Sequence, residues 1–190
     1  MSVDHGGDED GDQKISELKY NPIFPLQNPT TALITRLIFQ VAELFHRGEH
    51  ASILAMYGTR GFIDYDYVLG GYDTEAVLRV FENTVVPQLG SYADGEPNSV
   101  LVCDNCNIHH SDELIDMVEA AGAKMLFLAA YSPIDNPIEM AFNVFKMFWK
   151  RERWCADNMA LDVRIKYCIE NCYAQPEKAA VAAYEKCGYY

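Results

Sequence analysis

The chain has 190 residues, of which 49% are hydrophobic, and its formal net charge is −13. This size and composition fit one globular domain with a sizeable core. No apolar run approaches the roughly 18 residues needed to cross a bilayer, and the acidic N-terminus lacks a signal-peptide core, so we predict an intracellular protein with no membrane partner. The negative charge weighs against tight DNA binding by this chain alone, because duplex affinity depends on Lys and Arg neutralising phosphates.

Residues 1–29 are predicted to be a disordered acidic tail followed by a Pro-rich linker, because they begin with Gly, Asp and Glu and end in a stretch with three prolines. Residues 30–46 are predicted to form a helix, since Thr30 or Thr31 can cap it and apolar residues recur at helical spacing. The sequence of that helix gives no indication of the protein family from which it originates.

The next segments predict a β-hairpin and a helix. Residues 51–57 indicate a strand, residues 58–61 a turn, and residues 62–69 alternate as a returning strand. Asp73 or Thr74 then caps a helix that runs to about residue 89.

The second half of the chain alternates strands and helices. Short apolar strands are predicted at 99–103 and 124–128, with a helix capped by Ser111 and stopped by Gly122 between them. Further helices are predicted at 136–154, 158–173 and 176–187. The order hairpin, helix, strand, helix, strand, helix indicates a mixed α/β sheet covered by helices.

Two carboxylates stand at informative places in this pattern. Asp104 ends the apolar strand of residues 99–103, and Glu139 opens the helix of residues 136–154, with the 34 residues 105–138 between them. A strand-end Asp and a helix-borne Glu can converge on divalent metal ions for phosphodiester chemistry. Taken singly, each has an ordinary explanation, since Asp-Asn is a common turn pair and Glu is common in a first helical turn.

The segments around both carboxylates resemble the catalytic domain of mariner-type DDE transposases. The motif VLVCDNCNIHH at residues 100–110 is similar to that family's strand followed by Asp-Asn, an apolar residue and His. The motif LFLAAYSPIDNPIE at residues 126–139 is similar to its Tyr-Ser-Pro and Asn-Pro-Ile-Glu signature, and Phe142 and Lys146 fit the continuation. Residues 47–55 and 61–65 fit the preceding hairpin, so the resemblance covers about residues 47–154, which leaves residues 155–190 as C-terminal helices.

The resemblance implies an RNase H-like mixed sheet flanked by helices, with Asp104 and Glu139 as catalytic metal ligands for Mg²⁺ (or Mn²⁺). It implies cleavage and transfer of DNA strands at transposon ends, a homodimer, and the nucleus as the location in a eukaryote.

The first carboxylate of the family is not clearly present in this sequence. The family carries an Asp on an early strand, and Asp4 is the candidate by distance, although almost no strand precedes it. The sequence also has Ala129-Ala130 where the family has Pro-Pro, and no recognisable helix-turn-helix segment. The sequence therefore indicates a truncated or diverged domain and leaves open whether the first strand of its sheet is missing.

Other polar residues near the two carboxylates are expected to support them or to face DNA: Asn105, His109, Asn136, Lys146 and Lys150. Asn136 is predicted to cap the helix that carries Glu139, with Pro137 at its first position. His109 is equally compatible with a loop His that bonds the backbone. The helix that carries Glu139 has a basic cluster formed by Lys146, Lys150, Arg151 and Arg153. These cations could bind DNA phosphates, but they are also typical of a solvated helix C-terminus.

The six cysteines are predicted to be reduced thiols. The alternative is a zinc site formed by Cys103 and Cys106 together with Cys168 and Cys172, which have spacings that zinc ligands use. Burial of Cys103 in a strand disfavours it.

We therefore predict a transposase-like catalytic domain, with weak or absent activity from this chain alone, because a site lacking one of three carboxylates would leave the metals under-coordinated. Two alternatives stay open. One is a non-enzymatic, transposon-derived protein-interaction fragment, which the net charge favours. The other is a metal-dependent nuclease unrelated to transposition.

Overall fold

The computed structural model describes residues 31–40, 50–104, 112–129, 133–152 and 159–189; within these, residues 31–40, His50 and Pro133 are described by their backbone. One five-stranded sheet runs through the domain in the order β3-β2-β1-β4-β5. Its strands are β1 (Thr31–Gln40), β2 (His50–Gly58), β3 (Gly61–Leu69), β4 (Val100–Cys103) and β5 (Lys124–Phe127).

The sheet is mixed, with three antiparallel strands on one side and parallel strands on the other. β1 pairs antiparallel with β2, which pairs antiparallel with β3. On its other edge β1 pairs parallel with β4, which pairs parallel with β5. The central position of β1 joins the hairpin to the parallel half.

The predicted helix over residues 30–46 is wrong for residues 31–40, which form the central strand β1. The segment TALITRLIFQ is rich in β-branched and aromatic residues, and its nearly continuous apolar character suits a strand covered on both faces as well as a helix. Pairing with β2 and β4 decides between them, and local periodicity does not report that pairing. The first strand of the sheet is therefore present.

The other predicted elements that lie in the described residues are confirmed, with ends shifted by a few residues. The helices are α1 (Thr74–Val80), α2 (Asp112–Ala120), α3 (Pro137–Arg151), α4 (Leu161–Asn171) and α5 (Pro176–Lys186). α1 continues through a π turn and a 3₁₀ turn to Gln88. Asp73 caps α1 by accepting a hydrogen bond from the Ala76 amide at 2.7 Å.

Helices cover both faces of the sheet. Successive strand residues point to opposite faces, so alternate residues of β4 belong to different clusters. On one face, Val100 and Val102 of β4 pack in a cluster with α3, α4 and α5. On the other face, Leu101 and Cys103 pack in a cluster with α1 and α2. The result is a three-layer α/β/α domain in which α3 lies on the face that β4 shares with Val100 and Val102.

Candidate active site

Asp104 is placed by the end of β4. It directly follows Cys103, whose carbonyl accepts a hydrogen bond from the Leu128 amide at 2.9 Å, so the chain is fixed up to the residue before the carboxylate. Alternation along the strand puts Asp104 in phase with Val100 and Val102, on the face that α3 covers. Asp104 is half-buried there.

Glu139 is placed by the first turn of α3. Asn136 is the N-cap residue and Pro137 is the first helical residue, as predicted, although the Asn136 side chain makes no capping hydrogen bond. The Glu139 amide instead donates to the Asn136 carbonyl at 3.1 Å. Ile138 and Phe142 anchor the buried face of α3 in the core, and Glu139, one residue past Ile138, stands half-buried at the border of that face.

The negative charge of Asp104, at the end of β4, acts on the Glu139 carboxyl in the first turn of α3. Burial raises the pKa of Glu139, Lys146 lowers it, and the negative charge of Asp104 raises it. Burial disfavours a charged carboxylate and the like charge of Asp104 adds to that cost, whereas the positive charge of Lys146 offsets part of it. Two residues that are far apart in the sequence thus lie within electrostatic range of each other.

Lys146 and Lys150 follow Glu139 along the same helix, α3. Lys146 is close enough to Glu139 to lower its pKa, and Lys150 is exposed one turn further along. The adjacent Arg151 makes an ion pair with Glu152 at 3.0 Å and lies 4.7 Å from the centre of the Phe148 ring. Lys146, Lys150 and Arg151 together place positive charge along the second half of α3.

Three predicted site residues lie outside the described residues: Asp4, Asn105 and His109. Their roles stay predictions. The sheet nevertheless bears on the first carboxylate, because β1 is the neighbour of β4 and its ten residues include no Asp or Glu. Ile34 pairs with Cys103, so Thr35 is level with Asp104 along the sheet.

The donors that are present suit a divalent cation bound through oxygen. Mg²⁺ takes one or two carboxylates and keeps several waters and substrate phosphates, and Asp104 and Glu139 supply such a pair. Within the described part of the chain no group of three or more His, Cys, Asp or Glu residues is gathered for a metal. Two carboxylates fit one metal ion, whereas a fully ligated pair of ions needs more donors than this part of the chain shows.

The zinc alternative is wrong for the cysteines that the structure describes. Cys103 is buried in the cluster under α1 and α2, whereas Cys168 is buried in the cluster on the opposite face of the sheet. They therefore cannot bind one ion. Burial raises the pKa of Cys103, and it also raises that of Cys172 to about 11, so both are protonated thiols at neutral pH. Cys106 lies outside the described residues.

Two residues near the C-terminus contact the loop before α3, and the sequence gives no direct indication of either contact. The Cys187 thiol donates to the Ile134 carbonyl at 3.2 Å, and the Tyr189 hydroxyl donates to the Asp135 carbonyl at 3.2 Å. The partners are 53 and 54 residues apart, and no local spacing signals such a contact. Their only sequence signal is a glycine, Gly188, that ends α5 between them.

A family of known proteins matches the centre of the chain. The sequence profile described as "DDE superfamily endonuclease" matches residues 40–162, which are 123 of the 190 residues. The match begins at the last residue of β1 and includes both Asp104 and Glu139. Among curated proteins no sequence matches the chain.

Solved structures with the same fold include transposases and a viral integration complex. The mariner Mos1 paired end complex with Mg is 14% identical, with a TM-score of 0.57 over 93% of this chain and 57% of that chain. The Mos1 transposase catalytic domain with Raltegravir and Mg is 14% identical, with a TM-score of 0.54 over 84% of this chain and 80% of that chain. The simian T-cell lymphotropic virus intasome in complex with PP2A regulatory subunit B56 gamma is 10% identical, with a TM-score of 0.56 over 75% and 47% of the two chains.

These likenesses confirm the predicted RNase H-like sheet. The chain spans about half the length of the intasome protein and of the Mos1 chain in its paired end complex, and about four fifths of the isolated Mos1 catalytic domain. Among the described residues, no helix has the length and apolar character to cross a membrane.

Proposed function

Because the chain belongs to the DDE superfamily endonucleases, we propose that it is a transposase-like catalytic domain, in which Asp104 and Glu139 hold a divalent metal for cleavage and transfer of DNA strands. The observation that carries this proposal is the convergence of the two carboxylates. One comes from the end of β4 and the other from the first turn of α3, and the charge of Asp104 raises the pKa of Glu139. A divalent cation bound by both carboxylates would offset the cost of their burial and like charge, to which Lys146 is already a partial counterion.

The two carboxylates contribute to the chemistry in different ways. Asp104 gives a fixed oxygen ligand, because the strand before it is bonded on both sides. Glu139 gives a ligand on a helix that is packed in the core through Ile138 and Phe142. Asp104 and Glu139 would hold Mg²⁺ or Mn²⁺, which when bound would supply activation of the attacking hydroxyl and stabilisation of charge at the phosphate. Both metals accompany the Mos1 catalytic domain in solved structures.

The partner in this proposal is the DNA of transposon ends. Lys146 and Lys150 are the cations of α3 proposed to meet its phosphates. The net charge of −13 nevertheless opposes non-specific DNA binding, which depends on counterion release by Lys and Arg. We therefore propose weak DNA binding by this chain alone, a homodimer as the assembled form, and the nucleus as its location in a eukaryote.

Activity is proposed to be weak because the metal site is short of carboxylates. β1 offers Thr35 beside Asp104, and the described residues supply no third acidic ligand. Asp4 stays the candidate first carboxylate. Fewer ligands leave the metal more mobile, and metal-dependent cleavage depends on fixed coordination geometry.

A plasmid-nicking and strand-transfer assay in Mn²⁺ tests this proposal. Purified protein is incubated with supercoiled plasmid and with a labelled duplex that carries the ends of the transposon. We expect slow cleavage that Glu139→Gln abolishes and that Thr35→Asp increases, since a carboxylate on β1 would be level with Asp104. Cleavage that survives Glu139→Gln would contradict the assigned site. Cleavage without preference for transposon ends would favour the unrelated nuclease.

A non-enzymatic, transposon-derived interaction fragment is the second candidate. Two observations favour it, namely the acidic charge of the chain and the lack of Asp or Glu in β1. A protein partner whose binding is unchanged by chelation of metal and by Glu139→Gln would support this function. No cleavage by Thr35→Asp under the same conditions would support it further.

A further inference from the structure

The loop before α3 has an apolar side chain that faces solvent. It contains the short 3₁₀ turn Pro133–Asp135, in which the Ile134 side chain is 78% exposed. The exposed Ile134 side chain contributes little stability through burial, so hydrogen bonds to the backbone of this turn add to what holds it in place. This loop leads directly into Asn136, which starts the helix that carries Glu139.

Two side chains from the C-terminal segment supply such hydrogen bonds, and we call Cys187 and Tyr189 the C-terminal clamp. Cys187 donates to the carbonyl of Ile134, and Tyr189 donates to the carbonyl of Asp135. Burial and the nearby Asp135 raise the pKa of the Cys187 thiol to about 11, so it carries its proton at neutral pH and can donate. The clamp thus holds two consecutive carbonyls just before α3.

The geometry of the clamp is set by the end of α5. Gly188 has a φ of +80°, which suits glycine, and its amide donates to the Glu185 carbonyl at 3.0 Å. The Tyr189 amide donates to the Tyr184 carbonyl at 3.1 Å, which completes a Schellman motif at this helix end. The Tyr184 and Tyr189 rings also meet edge to face at 5.6 Å, the hydrophobic contact that accompanies this motif. Tyr189 is therefore turned back toward the domain.

Tyr184 connects the clamp to the central sheet. Its hydroxyl donates to the Tyr57 carbonyl at 2.9 Å, and its ring stacks on the Tyr57 ring at a centroid distance of 6.3 Å. Both residues are buried, and Tyr57 belongs to β2. A continuous set of contacts therefore runs from β2 through α5 and the clamp to the loop before α3.

We propose that the C-terminal clamp is a positioning element that holds the start of α3, and with it Glu139, in the place where Glu139 and Asp104 can bind one metal ion. This inference rests on the proposed metal site. Cys187 and Tyr189 touch neither the metal nor the substrate, and they act through the backbone of residues 134–135. Because Ile138 and Phe142 already bury the face of α3, the clamp adjusts the first turn and does not hold the whole helix.

The expected effect is modest and measurable. Tyr189→Phe removes one hydroxyl and keeps the ring beside Tyr184. The net value of one neutral hydrogen bond corresponds to about 2- to 10-fold in an equilibrium constant, and we expect Mn²⁺ affinity to fall within that range. Cys187→Ala is expected to act in the same direction, and Cys187→Ser to restore part of the affinity because serine can donate to Ile134.

The test combines two measurements on the full chain. Mn²⁺ binding is followed by electron paramagnetic resonance, and exchange of the amides of residues 138–140 is followed by NMR without metal. Tyr67→Phe is the matched control, because it removes a tyrosine hydroxyl on β3 that is not a member of the clamp. We expect Tyr189→Phe and Cys187→Ala to weaken Mn²⁺ binding and to speed exchange in the first turn of α3, while Tyr67→Phe behaves as the parent.

The outcomes separate the clamp from the metal site. If Tyr189→Phe and Cys187→Ala match Tyr67→Phe in both measurements, the clamp does not position α3 and the inference is overturned. If the parent binds no Mn²⁺, the proposed function fails, yet the exchange rates still decide whether the clamp orders the first turn. Faster exchange throughout the domain, rather than at residues 138–140, would reduce the clamp to a general contribution to stability and would also overturn the inference.

Discussion

Tyr184→Phe is the substitution whose effect on stability the structure defines most closely. The phenylalanine ring can keep the stack on Tyr57 and the edge contact with Tyr189, so only the hydroxyl is lost. That hydroxyl donates to the Tyr57 carbonyl at 2.9 Å between two residues that are at most 1% exposed. Leaving a buried acceptor without this donor costs about 1–3 kcal/mol. For a domain of this size, each kcal/mol lowers Tm by roughly 2–4 °C.

Urea unfolding of the parent, Tyr184→Phe and Tyr67→Phe measures this cost. Tyr67 is the matched tyrosine, since the described residues show no hydrogen bond from its hydroxyl. We expect an unchanged m-value and a lower midpoint for Tyr184→Phe, with Tyr67→Phe within about 0.5 kcal/mol of the parent. A loss for Tyr184→Phe no larger than that of Tyr67→Phe would refute the proposed link between α5 and β2.

Three further predictions concern pH and capping. Burial and the negative charge of Asp104 raise the pKa of Glu139. The folded protein therefore keeps the Glu139 carboxyl proton to higher pH than the unfolded chain does, and the stability that this proton contributes is lost as pH rises through the folded pKa. Glu139→Gln should therefore melt higher than the parent at pH 7, with the difference vanishing toward acid pH; an equal or lower melting temperature at pH 7 would contradict this. Lys146→Gln removes a positive charge that lowers the pKa of Glu139, so the Glu139 carboxyl should lose its proton, and bind Mn²⁺, only at higher pH. An unchanged pH profile of Mn²⁺ binding would contradict this effect of Lys146. Asp73→Ala should cost about 0.5–2 kcal/mol in urea unfolding through loss of the α1 cap, and no loss would contradict the 2.7 Å bond to Ala76.

Most of the fold follows from patterns that are local in the sequence. The hairpin of β2 and β3 is indicated by alternation around the turn between Gly58 and Gly61, and α1 by the Asp73 cap. β1 could not be recognised in this way. Its apolar residues satisfy helical spacing, and only pairing with β2 and β4, strands that come later in the chain, makes it the centre of the sheet.

The positions of the two candidate carboxylates at element ends were predictable from the sequence. Asp104 follows an apolar strand and Glu139 follows Asn136-Pro137, but each position has an ordinary structural explanation, and the resemblance of both motifs to mariner-type transposases is what singles them out. The sequence does not report the electrostatic contact between them, because it depends on how α3 packs on the sheet. The hydrogen bonds of the C-terminal clamp could not be predicted from the sequence, because Cys187 and Tyr189 donate to carbonyls of residues more than fifty positions away.

Mn²⁺ binding to the parent, Asp104→Asn and Glu139→Gln tests the central claim most directly. Asp116→Asn, an exposed carboxylate on α2, is the control for loss of one negative charge. The shared site predicts saturable binding by the parent and by Asp116→Asn, and loss of that binding in each of the other two variants. Binding that is absent from the parent, or unchanged by Asp104→Asn and Glu139→Gln, would contradict a metal centre between β4 and α3.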